Sequence, residues 1–224
     1  AIASGNREDP LALMTTNLSP VQEAVHNRIY GFRDYNYKYG PPTTTPSALT
    51  DNATGGDLYD ASDNKLGILT GASLDAQIAI FKASKGYFID LVEASACTLP
   101  NGLSTKWVGE KGLSKTVIFA GVLYVTTYTP ANACNSTITC RPNEGVARIY
   151  AVNYLDATQE VDMDKDGDID ANDRVTNIGG GIPSEPVIVI REGGTSGLVG
   201  TSGGAGGFQP PGGSNRYRTY WYDE

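Results

Sequence analysis

Thr116-Val-Ile-Phe-Ala-Gly-Val-Leu-Tyr-Val-Thr-Thr-Tyr-Thr129 consists of two runs of β-branched and aromatic residues flanking Ala120-Gly121. Runs of this kind fit a pleated, half-buried surface, and a two-residue break between them predicts a tight β-hairpin. Downstream, Ala147 to Tyr154 (ARIYAVNY) reads as a further strand, closed by the turn-like Asp156-Ala-Thr. Three strands on short connections make an antiparallel meander. The pattern returns with Pro186-Val-Ile-Val-Ile190, with Ser196 to Thr201 as its partner and the aromatic-rich Tyr217 to Tyr222 as a third strand. Upstream, Asn27 to Asp34 (NRIYGFRD) and Gly86 to Leu91 (GYFIDL) read as an earlier copy. Sheets of three or four strands recurring every roughly 40 to 50 residues are what propeller blades look like in sequence. The expected fold is therefore mainly β, a partial, incomplete β-propeller. A propeller needs at least about four blades and this length supplies about two to three, so the chain is expected to complete its sheets against another chain or segment.

The chain divides into strands of an incomplete blade (1–36), a loop and short-helix insertion (37–84), a β-meander blade (85–158), an acidic loop (159–176) and a final blade with a Gly-rich loop (177–224). Within the insertion, Gly40 to Asp63 is rich in Pro, Thr, Asn and Gly and reads as exposed loop. Ser73 is the expected N-cap of a helix from Leu74 to Ser84, whose apolar Leu74, Ile78, Ile80 and Phe81 suit the cover of a sheet edge. From Gly193 to Gly213, 10 of 21 residues are Gly and no helix follows. That composition argues for a connector between strands rather than a phosphate cradle.

Charge and scarce residues narrow the function. The net charge of −8 would repel a phosphate backbone, which argues against nucleic acid. The longest apolar run, Val117 to Val125, is far short of the roughly 20 residues of a spanning helix. His26 is the one histidine, so paired-histidine zinc sites are absent, and its polar setting (Glu23, Asn27, Arg28) reads as a solvated side chain rather than part of a triad. Cys134 and Cys140 flank a polar, loop-like span and suit a disulfide, which implies an oxidising, extracellular location. Cys97 is then either a buried free thiol or the partner of one of the other two. The chain begins at Ala1 without an initiator Met or apolar leader, as expected of a processed product or a piece of something longer.

The chemistry lies in Asp162-Met-Asp-Lys-Asp-Gly-Asp-Ile-Asp-Ala-Asn-Asp173. It fits the twelve-residue calcium loop at each informative position. Asp162, Asp164 and Asp166 supply side-chain oxygens, and Gly167 permits the sharp turn. Asp168 is expected to offer its carbonyl, Ile169 to point into the core, Asp170 to bind directly or through water, and Asp173 to close the sphere. Six aspartates and Lys165 give the loop a charge of −5 (−6 + 1). Like charges about 4 Å apart cost about 4 kcal/mol per pair at an effective dielectric near 20, which a hard divalent cation relieves. Calcium tolerates such an irregular oxygen cage better than magnesium. Flanking amphipathic helices are not evident, so the loop is expected to lie between strands.

The order of short motifs carries a resemblance. GNREDP (5–10), Asn27-Arg-Ile-Tyr30 with Asp34, Lys85-Gly-Tyr-Phe-Ile-Asp90, Val125-Thr-Thr-Tyr-Thr-Pro130, the Cys loop, Arg148-Ile-Tyr-Ala151, the aspartate loop, Pro183-Ser-Glu-Pro and Arg218-Thr-Tyr-Trp221 follow one another. In this order the chain resembles the C-terminal region of the PilY family of type IV pilus tip adhesins and assembly factors. The resemblance implies a modified, quinoprotein-dehydrogenase-like propeller with a calcium loop between strands of a late blade, its ligands matching Asp162, Asp164, Asp166, the carbonyl of Asp168, and Asp170. It further implies a fimbrial, cell-surface location, with partners in the missing N-terminal remainder, minor pilins and a host or abiotic surface. Calcium occupancy in that family opposes pilus retraction. No catalytic residues follow from it. A quinoprotein-like dehydrogenase is the competing reading, and it conflicts with a calcium loop filled by its own aspartates.

Overall fold

The computed structural model describes residues 1–12, 24–33, 49–50, 56–93, 95–99, 102–131, 144–192 and 194–211. The first sheet contains β1 (Ile2–Ala3), β2 (Arg28–Phe32), β3 (Leu58–Asp60) and β4 (Gly86–Asp90) in the order β1-β2-β4-β3. Helices α1 (Lys65–Ile68) and α2 (Gly71–Ala83) lie between β3 and β4 in the chain. A two-stranded ribbon, β5 (Cys97–Thr98) with β6 (Ser104–Thr105), precedes the second sheet. That sheet comprises β7 (Lys111–Gly112), β8 (Val117–Phe119), β9 (Val122–Thr129), β10 (Val146–Asn153) and β11 (Val175–Gly179), ordered β11-β10-β9-β7 with β8 also on β9. The third runs β12 (Val187–Arg191), β13 (Gly194–Thr201), β14 (Gly204–Phe208).

The expected hairpin is present. Ala120 and Gly121 take φ of 50° and 86°, the paired left-handed conformations of a turn that matches the twist of its flanking strands, and Phe119 faces Val122 across it. β10 then returns antiparallel along all of β9, from Val146 opposite Thr129 to Asn153 opposite Val122.

All eight residues of β9 are buried because both of its faces are covered. Leu123 and Val125, with Tyr150 and Val152 of β10, pack on Ile29, Tyr87, Ile89 and Leu91 of the first sheet and its exit. Val122 and Tyr124, with Ile149 and Ala151, pack the other way on Val199 and Phe208 of the third sheet. The second sheet is thus the middle of three layers, and each fully buried Leu, Ile or Val contributes about 1.5–3 kcal/mol. The architecture is mainly β, with several sheets and few helices, and no closed barrel forms among the described residues.

Several expectations need correction. Tyr59 lies in β3, which pairs in parallel with β4, so the segment read as loop up to Asp63 ends in a core strand. Helix α2 starts earlier than read, with Thr70 rather than Ser73 as N-cap. It buries no residue fully, although Phe81 meets the Tyr59 ring edge-on at 5.4 Å. The Gly-rich stretch is not merely connector, since β13 and β14 are built from it. A Cβ on Gly197 would lie 2.2 Å from the Phe208 ring, so the missing side chain is what lets that ring lie across β13 and reach Tyr124 at 4.8 Å. The aromatic strand expected at Tyr217 to Tyr222 lies outside the described residues. No helix among the described residues is long and apolar enough to cross a membrane.

Candidate metal centre

The aspartate loop leaves β10 after the turn at Asp156 and returns into β11, so its ends are held by strands as expected. Val161 and Met163 are buried in the cluster between the second and third sheets. At the other end Arg174 is buried and donates from Nη1 and Nη2 to the carbonyls of Ser62 and Ala61, at 3.2 and 2.9 Å, joining the loop to the first sheet. From Asp164 to Asn172 the loop is exposed.

Asp162, Asp164 and Asp166 converge, each offering a carboxylate oxygen within 4.8 Å of the other two. Oxygens on opposite sides of one calcium ion lie about 4.6 to 5.2 Å apart, so this triad suits a hard cation of that size. Local turns shape it. Asp162 accepts from the amides of Lys165 at 2.5 Å and Gly167 at 3.1 Å, Asp164 from Asp166 at 3.2 Å, and Asp166 from Asp168 at 2.9 Å. Asp164 and Asp166 each spend one oxygen in this way and keep the other. Lys165 and Gly167 take left-handed φ of 64° and 101°, and nothing approaches within 4 Å of the place where a Cβ on Gly167 would sit. Desolvation within the turn, together with the neighbouring Asp166, Asp173 and Asp162 carboxylates, pushes the Asp164 carboxyl above its usual range.

The rest of the expected ligand set behaves differently. Asp173 is fully buried, and its carboxylate accepts the amides of Met163 at 2.6 Å, Asp164 at 3.3 Å and Asp170 at 2.8 Å. Both of its oxygens accept loop amides, so it clasps the loop. Asp170 accepts from the Asn172 amide at 2.7 Å and N-caps the short 3-10 turn Ala171–Arg174, forming a reciprocal capping box with Asp173. Asp168 is exposed. Ile169, expected in the core, is 55% exposed, because the loop bulges away from the sheets there. It borders a surface cleft of about 530 Å³ together with Val161, Asp162, Lys165, Pro210 and Pro211.

The expected Cys134 to Cys140 bridge lies outside the described residues. Cys97 is disulfide-bonded, and in a chain of three cysteines that bond and a Cys134 to Cys140 bridge exclude each other. His26 is exposed and stacks on Trp107 at 4.1 Å, which matches its reading as a solvated side chain.

A second polar cluster was not read from the sequence. Glu110 is buried and accepts from Arg148 at 2.6 Å, Thr127 at 2.6 Å and Tyr150 at 3.1 Å, while Arg148 also reaches Glu93 at 2.5 Å. Burial pushes the Glu110 carboxyl up, and Arg148, Thr127 and Tyr150 pull it back. The only signal was Arg148 inside an otherwise apolar strand. An open cleft of about 640 Å³ runs past Arg148, but the guanidinium is committed to Glu93, Glu110 and Asn177, so the cluster ties strands together instead of facing a ligand.

No protein-family model matches the chain, and no curated protein matches it. Among solved structures it is similar to the crystal structure of the Pseudomonas aeruginosa PilY1 C-terminal domain, at 15% identity and a TM-score of 0.35, over 58% of this chain and 24% of that one. The chain thus spans about a quarter of that structure, and likeness at this level carries no argument of its own.

Proposed function

We propose that this chain is a calcium-binding, non-enzymatic part of a type IV pilus-associated tip adhesin, supporting pilus assembly and the control of extension and retraction. The observation that carries the calcium reading is the convergence of the Asp162, Asp164 and Asp166 carboxylates within 4.8 Å on a loop of charge −5. The pilus reading is supported by the order of motifs from Gly5 to Trp221. On this reading the three layered sheets are blades of an incomplete, quinoprotein-like propeller outside the cell. An N-terminal remainder, minor pilins and a host or abiotic surface are the partners. A bound calcium ion would neutralise the exposed carboxylates. Because Met163 and Arg174 are seated in different parts of the core, holding the loop would fix one surface against the layers beneath it.

Calorimetric titration of the chelator-treated chain with calcium chloride is expected to show one site, with Kd on the order of 10⁻⁴ to 10⁻³ M. Asp164→Ala combined with Asp166→Ala is expected to abolish the heat. Binding that survives in this variant, or no heat in the parent chain, would overturn the calcium reading. The pilus reading is tested separately by introducing the same double substitution at the chromosomal gene. Unaltered surface piliation and twitching at millimolar calcium would sink it.

A further inference from the structure

Among the described residues, the third sheet ends in an open edge at β12. β12 pairs with β13 on one side, in unbroken register over five residues from Val187 opposite Leu198 to Arg191 opposite Gly194. Its other side carries no strand among the described residues. Edge strands usually resist further pairing through a lysine, a bulge or an internal proline. Here Val187-Ile-Val-Ile190 is four consecutive β-branched residues with neither lysine nor bulge, Pro186 and Arg191 standing only at their two ends, and Val187 and Ile190 are 50% and 67% exposed. Leu198, opposite Val187, is also exposed and extends the apolar surface onto β13.

We infer that this edge pairs antiparallel with β12 of a second copy of the chain, merging two three-stranded sheets into one of six strands. The charges at the ends of the strand favour a second copy. Facing side chains in an antiparallel pair point to the same side of the sheet, while successive residues point to opposite sides. A two-fold axis through two identical strands must therefore bring one residue opposite its own copy. Centred on Ile188, the register sets Val187 opposite Val189 and Glu185 opposite Arg191, twice over by symmetry. Centred on Val189 it sets Arg191 against Val187 and Glu192 against Pro186, and centred on Ile190 it sets Glu192 against Ile188. Of these three, only the Ile188 register opposes acid and base at both ends of the apolar run. Glu185 and Arg191 are both exposed, so they are free to make these pairs. Nothing in this pairing depends on the aspartate loop holding an ion.

Sedimentation velocity on the full 224-residue chain, at roughly 0.15 M salt to screen the net charge of −8 on each copy, tests the inference. A reversible monomer–dimer equilibrium is expected, with Kd on the order of 10⁻⁴ M or tighter. Arg191→Glu and Glu185→Arg, each setting like charges opposite, are expected to weaken the dimer about tenfold, and the double swap to restore it to within about threefold. Both sites are exposed, so the variants keep the monomer fold. In hydrogen exchange, the amides of residues 187–191 are expected to slow as concentration rises. A chain that stays monomeric at about millimolar concentration overturns the inference, and that is the result expected of an edge reserved for a strand of a different protein. A dimer indifferent to both single charge reversals overturns it as well.

Discussion

At the residue scale, Asp173 and Asp164 separate two jobs that a run of aspartates conflates. Asp173 is fully buried and gathers the amides of Met163, Asp164 and Asp170, so it holds the loop shut whether or not an ion is bound. Removing an acceptor strands buried donors, at about 1–3 kcal/mol for each one left unsatisfied. Asp173→Ala is therefore expected to lower stability by about 2–4 kcal/mol in calcium-free buffer, as read by urea denaturation. Asp164→Ala removes an exposed carboxylate from a repulsive cluster and is expected to leave calcium-free stability within about 0.5 kcal/mol. Equal losses in the two variants would contradict this division. In sequence the two residues look alike, as twelve-residue loop positions 3 and 12. Burial tells them apart, and burial depends on where Met163 and Arg174 are seated in the core.

At the scale of elements, strand β9 explains why its segment was so readable. It is apolar on both faces because both are covered, and the Ala120-Gly121 turn fixes its register with β8. β14 was unreadable for the opposite reason, and β13 was legible only in part, from Ser196 to Thr201. Their glycines carry no periodic pattern, and the side chains that root them in the core are Val199 and Phe208. The space for that ring exists only because Gly197 has no Cβ. Gly197→Ala should displace the ring from Tyr124 and loosen the third sheet, at about 1–3 kcal/mol for an overpacked core position. Hydrogen exchange in β13 and β14 should rise while β9 stays protected. Uniform loss of protection across all three sheets would show instead that the third sheet is not a separable layer.

At the scale of the whole molecule, the layers meet through buried tyrosines, and this sets a limit at high pH. Burial pushes the Tyr87 hydroxyl up to about 12, and it raises Tyr124 and Tyr150 as well. In the unfolded chain these groups ionise near 10. Their folded values lie above the unfolded ones, so the stability they contribute is fully present below pH 10 and is lost as pH rises through the folded values. For Tyr87 alone a difference of about two pH units corresponds to roughly 2–3 kcal/mol. Cooperative unfolding is therefore expected between about pH 10 and 12, together with the rise in tyrosinate absorbance. Tyr87→Phe is expected to move the midpoint upward, at the cost of the bond from its hydroxyl to the Tyr154 carbonyl. Ionisation of all 13 tyrosines by about pH 12 without unfolding would show that these hydroxyls are not sealed between the layers.

The sequence by itself determined what depends on near neighbours. The hairpin follows from two β-branched runs around Ala120-Gly121, strand β10 from the apolar run that begins at Ala147, and the acidic triad from the spacing of Asp162, Asp164 and Asp166 around Gly167. Each rests on backbone preference or charge within a dozen residues. Tertiary structure alone decided that Asp173 is a clasp, that Ile169 faces solvent, that glycines make strands, and that Arg148 joins Glu93 to Glu110. Those outcomes turn on which surfaces meet across long separations in the chain, and burial there changes the energy of a carboxylate or an amide more than any local preference does.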